Sequence, residues 1–212
     1  MSKLYKYKKT PHVPFSPGTQ SDDRLLKSLK HFEGKRIVIS KKMDGENTNI
    51  YPDHFHVRSL DSIDHQSRHW VKGLWGSIKH EIPEGWRICG ENLFAKHSIF
   101  YTDLPSYFMV FSIWNEENIC LSYSDTEIIC KSLGLEIVPV IDIFDFDEKK
   151  LRDIANSIDT STTEGWVMRN YDSFSYSEFG LNMAKWVRKK HVRTGTHWMQ
   201  EKVVPNLLKN PL

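Results

Sequence analysis

Arg36-Ile37-Val38-Ile39-Ser40-Lys41-Lys42-Met43-Asp44-Gly45-Glu46-Asn47-Thr48-Asn49-Ile50-Tyr51 is the stretch whose reading decides the fold. Residues 36–40 alternate branched apolar and polar side chains as a half-buried strand does, Asp44-Gly45 marks a tight turn, and 48–51 predicts the returning strand. Lys42 therefore stands where a rigid strand gives way to a turn, a placement that suits a nucleophilic amine. The free amine has a pKa of about 10.4, so roughly one lysine in a thousand is neutral near pH 7.5. A reactive Lys42 is thus expected to have its pKa lowered by burial or by nearby cations. Asp44 and Asn47 are candidates to orient the amine or hold a nucleotide sugar, and Gly45 lets a backbone come close. An ordinary hairpin with a solvated lysine beside it carries the same Asp-Gly signal, so the motif alone leaves both readings open.

Outward from this stretch, the pattern predicts an α+β chain with mainly antiparallel sheets. Ser21-Asp22-Asp23 offers a cap for a helix with Leu25, Leu26, Leu29 and Phe32 on one face, ended at Gly34. A second helix is predicted over 65–80, with Trp70, Val71, Leu74, Trp75 and Ile78 at helical spacing as core. Strands are expected at 86–89, 108–114 and 119–123, the last two joined in a hairpin by Asn115-Glu116-Glu117-Asn118. Ser124-x-x-Glu127 reads as a capping box for a short helix ended at Gly134, and 147–158 as another helix. Residues 138–141 read as an edge strand, and 165–169 and 181–187 as the final two. No repeat or low-complexity linker intervenes, so 1–195 is expected to form one domain and 196–212 a short tail with an apolar end at Val203, Val204, Leu207 and Leu208.

Composition narrows the functional classes. The 212 residues carry a net charge of +2, which does not announce a nucleic-acid binder, but cations cluster locally. Lys3, Lys6, Lys8 and Lys9 lie near one end; Lys185, Arg188, Lys189, Lys190 and Arg193 near the other are interleaved with Trp186 and His191 and are suited to phosphates and bases. Three cysteines without paired metal-ligand spacing argue against a disulfide framework and for a reducing, cytoplasmic compartment. The histidines at 54, 56, 65, 69, 80 and 97 form no recognisable ligand cluster. No run is apolar enough for a signal core or a membrane span.

Six motifs in order carry a family resemblance. Lys42-Met43-Asp44-Gly45 resembles the nucleophile motif of the covalent nucleotidyltransferases, the polynucleotide ligases and messenger-RNA capping enzymes. Arg58 resembles the basic residue of the following strand, and Glu91 in Cys89-Gly90-Glu91-Asn92 the carboxylate that takes the nucleotide ribose. Phe111 in Tyr107-Phe108-Met109-Val110-Phe111 resembles the aromatic that stacks on the purine. Glu164 in Glu164-Gly165-Trp166-Val167 resembles the residue associated with metal, and Lys185 in Asn182-Met183-Ala184-Lys185-Trp186-Val187 the lysine that holds the α-phosphate. Asn47 and the pattern around Phe111 are most similar to the ATP-dependent RNA-ligase branch typified by a bacteriophage nick-sealing enzyme.

The resemblance implies an ATP-grasp-like nucleotidyltransferase domain whose sheets flank a nucleotide cleft. It also implies ATP and Mg2+ as cofactors, a lysyl-AMP intermediate on Lys42, and transfer of AMP to a 5′-phosphate before sealing to a 3′-hydroxyl. Ends or nicks of RNA, or of strands that also contain DNA, are the expected partner, and a monomer the expected state. A DNA ligase, a GTP-dependent capping guanylyltransferase and a non-catalytic RNA-binding domain are the rival readings. Two positions depart from the pattern: Ser112 stands where an acidic residue is usual, and Val187 where a second lysine is usual. Arg188, Lys189 or Lys190 is expected to supply the missing charge; register alone does not choose among them, and Arg188 is taken as the phosphate contact.

Overall fold

The computed structural model describes residues 1–60, 64–189 and 202–210. Among them, the strands are β1 (Arg36–Lys41), β2 (Glu46–Ile50), β3 (Phe55–Val57), β4 (Arg87–Asn92), β5 (Phe108–Trp114), β6 (Ile119–Cys120), β7 (Glu136–Ile137), β8 (Val140–Asp145), β9 (Gly165–Asn170), β10 (Phe174–Ser175) and β11 (Met183–Val187). The helices are α1 (His69–Ile78), α2 (Tyr123–Ser132), α3 (Glu148–Ser157) and a single turn, α4 (Phe179–Asn182). They build a four-stranded sheet in the order β11-β9-β1-β8 and a seven-stranded sheet running β10-β6-β5-β4-β2-β3, with β7 beside β5. Every pairing is antiparallel except β5 with β7, which gives the α+β class with antiparallel sheets.

The first sheet buries Ile37, Ile39, Trp166, Met168 and Ala184 against Leu151 and Ala155 of α3 and against Val13, Leu29 and Phe32. The second buries Ile50, Ile88, Phe108, Val110 and Ile113 against Val71 and Ile78 of α1 and Cys130 of α2. A third cluster bridges the sheets, with Cys89, Trp114 and Cys120 from one meeting Met183 from the other, and Tyr7 and Phe179 beside them.

The decisive stretch does not form a hairpin. β1 pairs with β8 and β9, whereas β2 pairs with β3 and β4 in the other sheet. The cause lies in the backbone partners. Lys41 N–H donates to Pro139 O at 2.8 Å and Lys42 N–H to Gly165 O at 2.9 Å, so pairing with the first sheet persists through the lysine. Met43 is then buried, and Asp44 fixes the chain on the far side by accepting from Ser98 N, Ser98 Oγ and Ile99 N, each at 2.7 Å. A Cβ on Gly45 would stand 2.4 Å from Asn92 O, so only glycine permits this crossing between sheets.

The helix expected after Ser21 is largely absent. His12 N–H bonds to Arg24 O at 2.7 Å and Leu26 N–H to His12 O at 2.8 Å, so the N-terminal segment takes the backbone groups a helix would have used. Only a turn of 3-10 helix remains at Lys30–Phe32; Leu29 and Phe32 still reach the core while Leu25 is exposed. The expected strand at 119–123 stops at Cys120 because Ser122 caps α2 two residues ahead of the predicted cap, its Oγ accepting from Asp125 N. The expected edge strand runs later than 138–141, as β8, and lies at the end of the first sheet. Asp147 caps α3 as expected.

Of the tail, residues 202–210 are not helical. They lie along 93–107 through bridges Ala95–Pro205 and Leu104–Leu208. Asn206, fully buried, donates to Leu93 O and accepts from Tyr101 N, and the Tyr101 hydroxyl in turn accepts from Asp44 N. The tail thus braces the Lys42–Gly45 turn from behind. No helix of the described residues is long and apolar enough to cross a membrane.

Candidate active site

The crossing between sheets leaves a cleft of about 720 Å³. The first sheet and its neighbours contribute Lys42, Val167, Arg169, Met183 and Lys185; the second contributes Glu46, Asn47, Val57, Glu91 and Phe111. Arg58 lies on the rim just past β3. Seven of the ten residues singled out from sequence therefore line one space: Lys42, Gly45, Asn47, Arg58, Glu91, Phe111 and Lys185.

The other three are placed differently. Glu164 reaches the cleft through Lys42, whose ammonium hydrogen-bonds its Oε2. Asp44 points away, its carboxylate spent on Ser98 and Ile99, so its observed work is to hold the turn and not to face the cleft. Arg188 is buried, its backbone N–H donating to Glu164 O at 2.9 Å, and it does not line the cleft. Its neighbour Lys190, with His191 and Arg193, lies outside the described residues.

Lys42 is not held neutral. Burial disfavours its ammonium, but the carboxylates of Glu164, Glu91 and Asp44 outweigh burial and hold its pKa above the ordinary lysine value. The expectation of a lowered pKa fails because the neighbouring charges are acidic. The burden falls on Glu91, whose carboxyl is pushed up to about 8 by burial first, against the pull of Lys42, and then by repulsion from Glu164 and Asp44. It receives a hydrogen bond from Gly45 N at 3.2 Å. A bulge between Cys89 and Gly90 in the β4–β5 ladder sets its position, and Gly90 is needed there because a Cβ would meet Met109 O at 2.7 Å.

A pH prediction follows from Glu91. Its folded pKa lies above the ordinary value, so the folded state binds the extra proton and stability falls as pH rises from about 4.5 to about 8. Glu91→Gln should therefore raise the melting temperature more at pH 8.5 than at pH 5. Equal shifts at both pH values would show that Glu91 is not held protonated.

Lys185 sits under the opposite influence: burial lowers its pKa, Asp23 at 3.6 Å raises it, and Lys42 and Arg58 lower it further. Three cations thus converge on one region of the cleft, as phosphate binding requires. Phe111 is half-buried, with Tyr7 edge-on at 5.1 Å and 69°. That contact supports the ring from the side.

Sequence reading missed several lining groups. Tyr7, Lys8 and Thr10 come from the N-terminal segment, where the lysine cluster was the available signal. Glu46 and Arg68 form a two-point ion pair, with Arg68 Nε to Glu46 Oε2 at 2.8 Å and Nη2 to Oε1 at 2.6 Å. Nothing local in the sequence joins residues 22 apart in this way.

The family model described as RNA ligase matches residues 35–187. Among solved structures, an archaeal ATP-dependent RNA ligase aligns with a TM-score of 0.62 at 16% identity, over 87% of this chain and 48% of that one. A variant RNA ligase of Naegleria gruberi with AMP and Mn aligns with a TM-score of 0.53 at 14% identity, over 75% of this chain and 51% of that one. Another, with ATP and Mn, aligns with a TM-score of 0.54 at 13% identity over 87% and 61% of the respective chains. This chain spans about half the length of the archaeal structure. No curated protein matches it. At these identities the structures establish a shared fold, and the family match takes in most of the described chain, from the strand before Lys42 to the end of β11. The chain belongs to the RNA ligase family.

Proposed function

We propose that this chain is an ATP-dependent RNA ligase of the covalent nucleotidyltransferase class, with Lys42 as the nucleophile. The observation that carries the reading is the convergence of Lys42, Glu164, Glu91, Phe111, Arg58 and Lys185 on one cleft from both sheets. Lys42 Nζ attacks the α-phosphorus of ATP: an N–P bond forms, the bond to the bridging oxygen breaks, and pyrophosphate leaves. The ammonium proton has an acceptor already hydrogen-bonded to it, the Glu164 carboxylate. Phe111 stacks on adenine, Glu91 holds the ribose hydroxyls, and Lys185 and Arg58 take phosphate charge. AMP then passes to the 5′-phosphate of an RNA strand, and a 3′-hydroxyl displaces it to close the phosphodiester.

Magnesium fits one role in this cleft. The described residues contain no group of three or more His, Cys, Asp or Glu side chains able to hold a metal unaided. Glu164 suits an ion that takes one or two carboxylates and fills its remaining positions with phosphate and water oxygens. A cation there would also relieve the repulsion that raises Glu91. When bound, it would supply charge neutralisation at the phosphates.

The proposal extends to RNA nicks as substrate, in the manner of the bacteriophage nick-sealing branch, and to a monomer acting in the cytoplasm. Intact-mass spectrometry after incubation with ATP and Mg2+ tests the central step. An adduct of one AMP per chain is expected. An adduct from GTP alone would move the chain to the capping class, and no adduct with any nucleotide would leave a non-catalytic RNA-binding domain. Phe111→Ala should raise the ATP concentration needed for half-maximal adenylylation by about tenfold, from the loss of roughly 1–3 kcal/mol of stacking. An unchanged requirement would return Phe111 to the core.

A further inference from the structure

Residues 11–18 run along the outer edge of β11. Lys185 N–H donates to Pro11 O at 2.8 Å, Val13 N–H to Lys185 O at 2.9 Å and Gly18 N–H to Val187 O at 2.9 Å. The strand that presents Lys185 is therefore clamped by the N-terminal segment. Inside the clamp, His12 has no solvent exposure, yet both of its ring nitrogens face polar atoms. Nδ1 lies 2.8 Å from Ser16 Oγ and Nε2 lies 3.1 Å from Asp23 Oδ2. Asp23 Oδ1 in turn lies 3.6 Å from Lys185 Nζ.

The shorter of two hydroxyl contacts selects the tautomer of His12. Ser16 Oγ accepts from Val187 N at 3.0 Å, and of the two acceptors within reach of its proton His12 Nδ1, at 2.8 Å, is closer than Val187 O, at 3.5 Å. A neutral His12 then carries its proton on Nε2, the ring nitrogen that faces the Asp23 carboxylate at 3.1 Å. Asp23 Oδ2 also accepts from Gln20 N at 3.0 Å, so that oxygen is occupied and Oδ1 is left to face Lys185. Packing alone would be better served by an apolar residue at position 12 than by an imidazole that must be satisfied at both ends.

We propose that His12 and Asp23 are positioning residues for Lys185. The imidazole orients the carboxylate, and the carboxylate holds the Lys185 ammonium at the cleft wall until the α-phosphate of ATP takes it over. The relay ties the N-terminal segment, which lies outside the span matched by the family, to the adenylylation step. It rests on the reading of Lys185 as a phosphate contact in a ligase.

A double-mutant cycle tests it. Asp23→Asn, which keeps shape and removes charge, should slow Lys42-adenylate formation at saturating ATP by about tenfold. In a Lys185→Ala background the same substitution should change the rate by less than about twofold, because its target is gone. The dissociation constant for ATP is read in the same four proteins, so the cycle stands even where Lys185→Ala reacts too slowly to time. If Asp23→Asn melts too low to assay, His12→Gln is carried through the same cycle. Equal effects in both backgrounds would mean that Asp23 serves only the fold, and a wild-type rate in Asp23→Asn would also overturn the relay. Either result with a wild-type protein that forms the AMP adduct leaves the ligase reading intact; a wild type that forms none removes both.

Discussion

Lys42→Met is expected to reduce formation of the AMP adduct by more than about a thousandfold, to the limit of detection, because no other amine in the cleft can take its place. Lys8, Lys41 and Lys185 also line the cleft, but the Lys8 ammonium donates to Tyr176 O, Asp23 holds that of Lys185, and none of the three has the Glu164 carboxylate beside it. The substitution also strips Glu164 of its ion-pair partner at a site where the carboxylate side chain is only 8% exposed. A loss of stability of about 1–3 kcal/mol is therefore expected beside the loss of chemistry. Intact-mass spectra and thermal melts read the two effects separately. An adduct that persists on another lysine would show the nucleophile to be misassigned. A folded, inert protein supports it.

Gly165→Ala should be the most damaging small change outside the reacting atoms. Gly165 has φ +148°, a conformation that side chains other than glycine rarely adopt, and an added Cβ would stand 2.0 Å from Trp186 O and 3.1 Å from the Val187 Cα. The obstruction is backbone on β11, so no side chain can swing aside. Gly165 O also accepts the N–H of Lys42, at 2.9 Å, so the strain reaches Lys42 directly. We expect a loss of more than about 3 kcal/mol, which at roughly 2–4 °C per kcal/mol lowers the melting temperature by about 6–12 °C or more. Adenylylation should fall with it as β9 and β11 part. Gly73→Ala provides the control: that glycine lies on the exposed face of α1 with nothing within 4 Å, and alanine there should be neutral or mildly stabilising. Similar melting temperatures for the two variants would show that the close approach of β9 to β11 is not tight.

The elements that read most clearly from sequence are those whose pattern and packing agree. β1, β5 and β9 carry runs of branched and aromatic residues that both sheets bury on at least one face. α3 has Asp147 at its cap and Leu151 and Ala155 turned inward, so propensity and tertiary demand coincide. The segment after Ser21 failed for the opposite reason. Its leucines keep helical spacing, but its backbone partners come from His12, some twelve positions earlier, and a periodicity argument cannot see a competitor that distant. The candidate site divides in the same way. Lys42, Glu91, Phe111, Glu164 and Lys185 were legible as motifs in order, whereas Tyr7, Arg68 and the His12–Asp23 pair have no motif and reach the site through packing.

By itself, the sequence determined which side chains this protein has to offer a nucleotide: an amine at the end of a strand, carboxylates, an aromatic and cations at recognisable offsets, within an α+β pattern of antiparallel strands. Only the tertiary structure decided that the chain leaves one sheet at Lys42 and enters the other at Glu46, opening a cleft instead of closing a hairpin. It likewise decided that Lys42 is stored as a charged ammonium. The physical reason is common to both. Strand partners and electrostatic neighbours are set by residues far away in sequence, here Pro139, Gly165, Glu91 and Glu164, and their influence acts through distance in space.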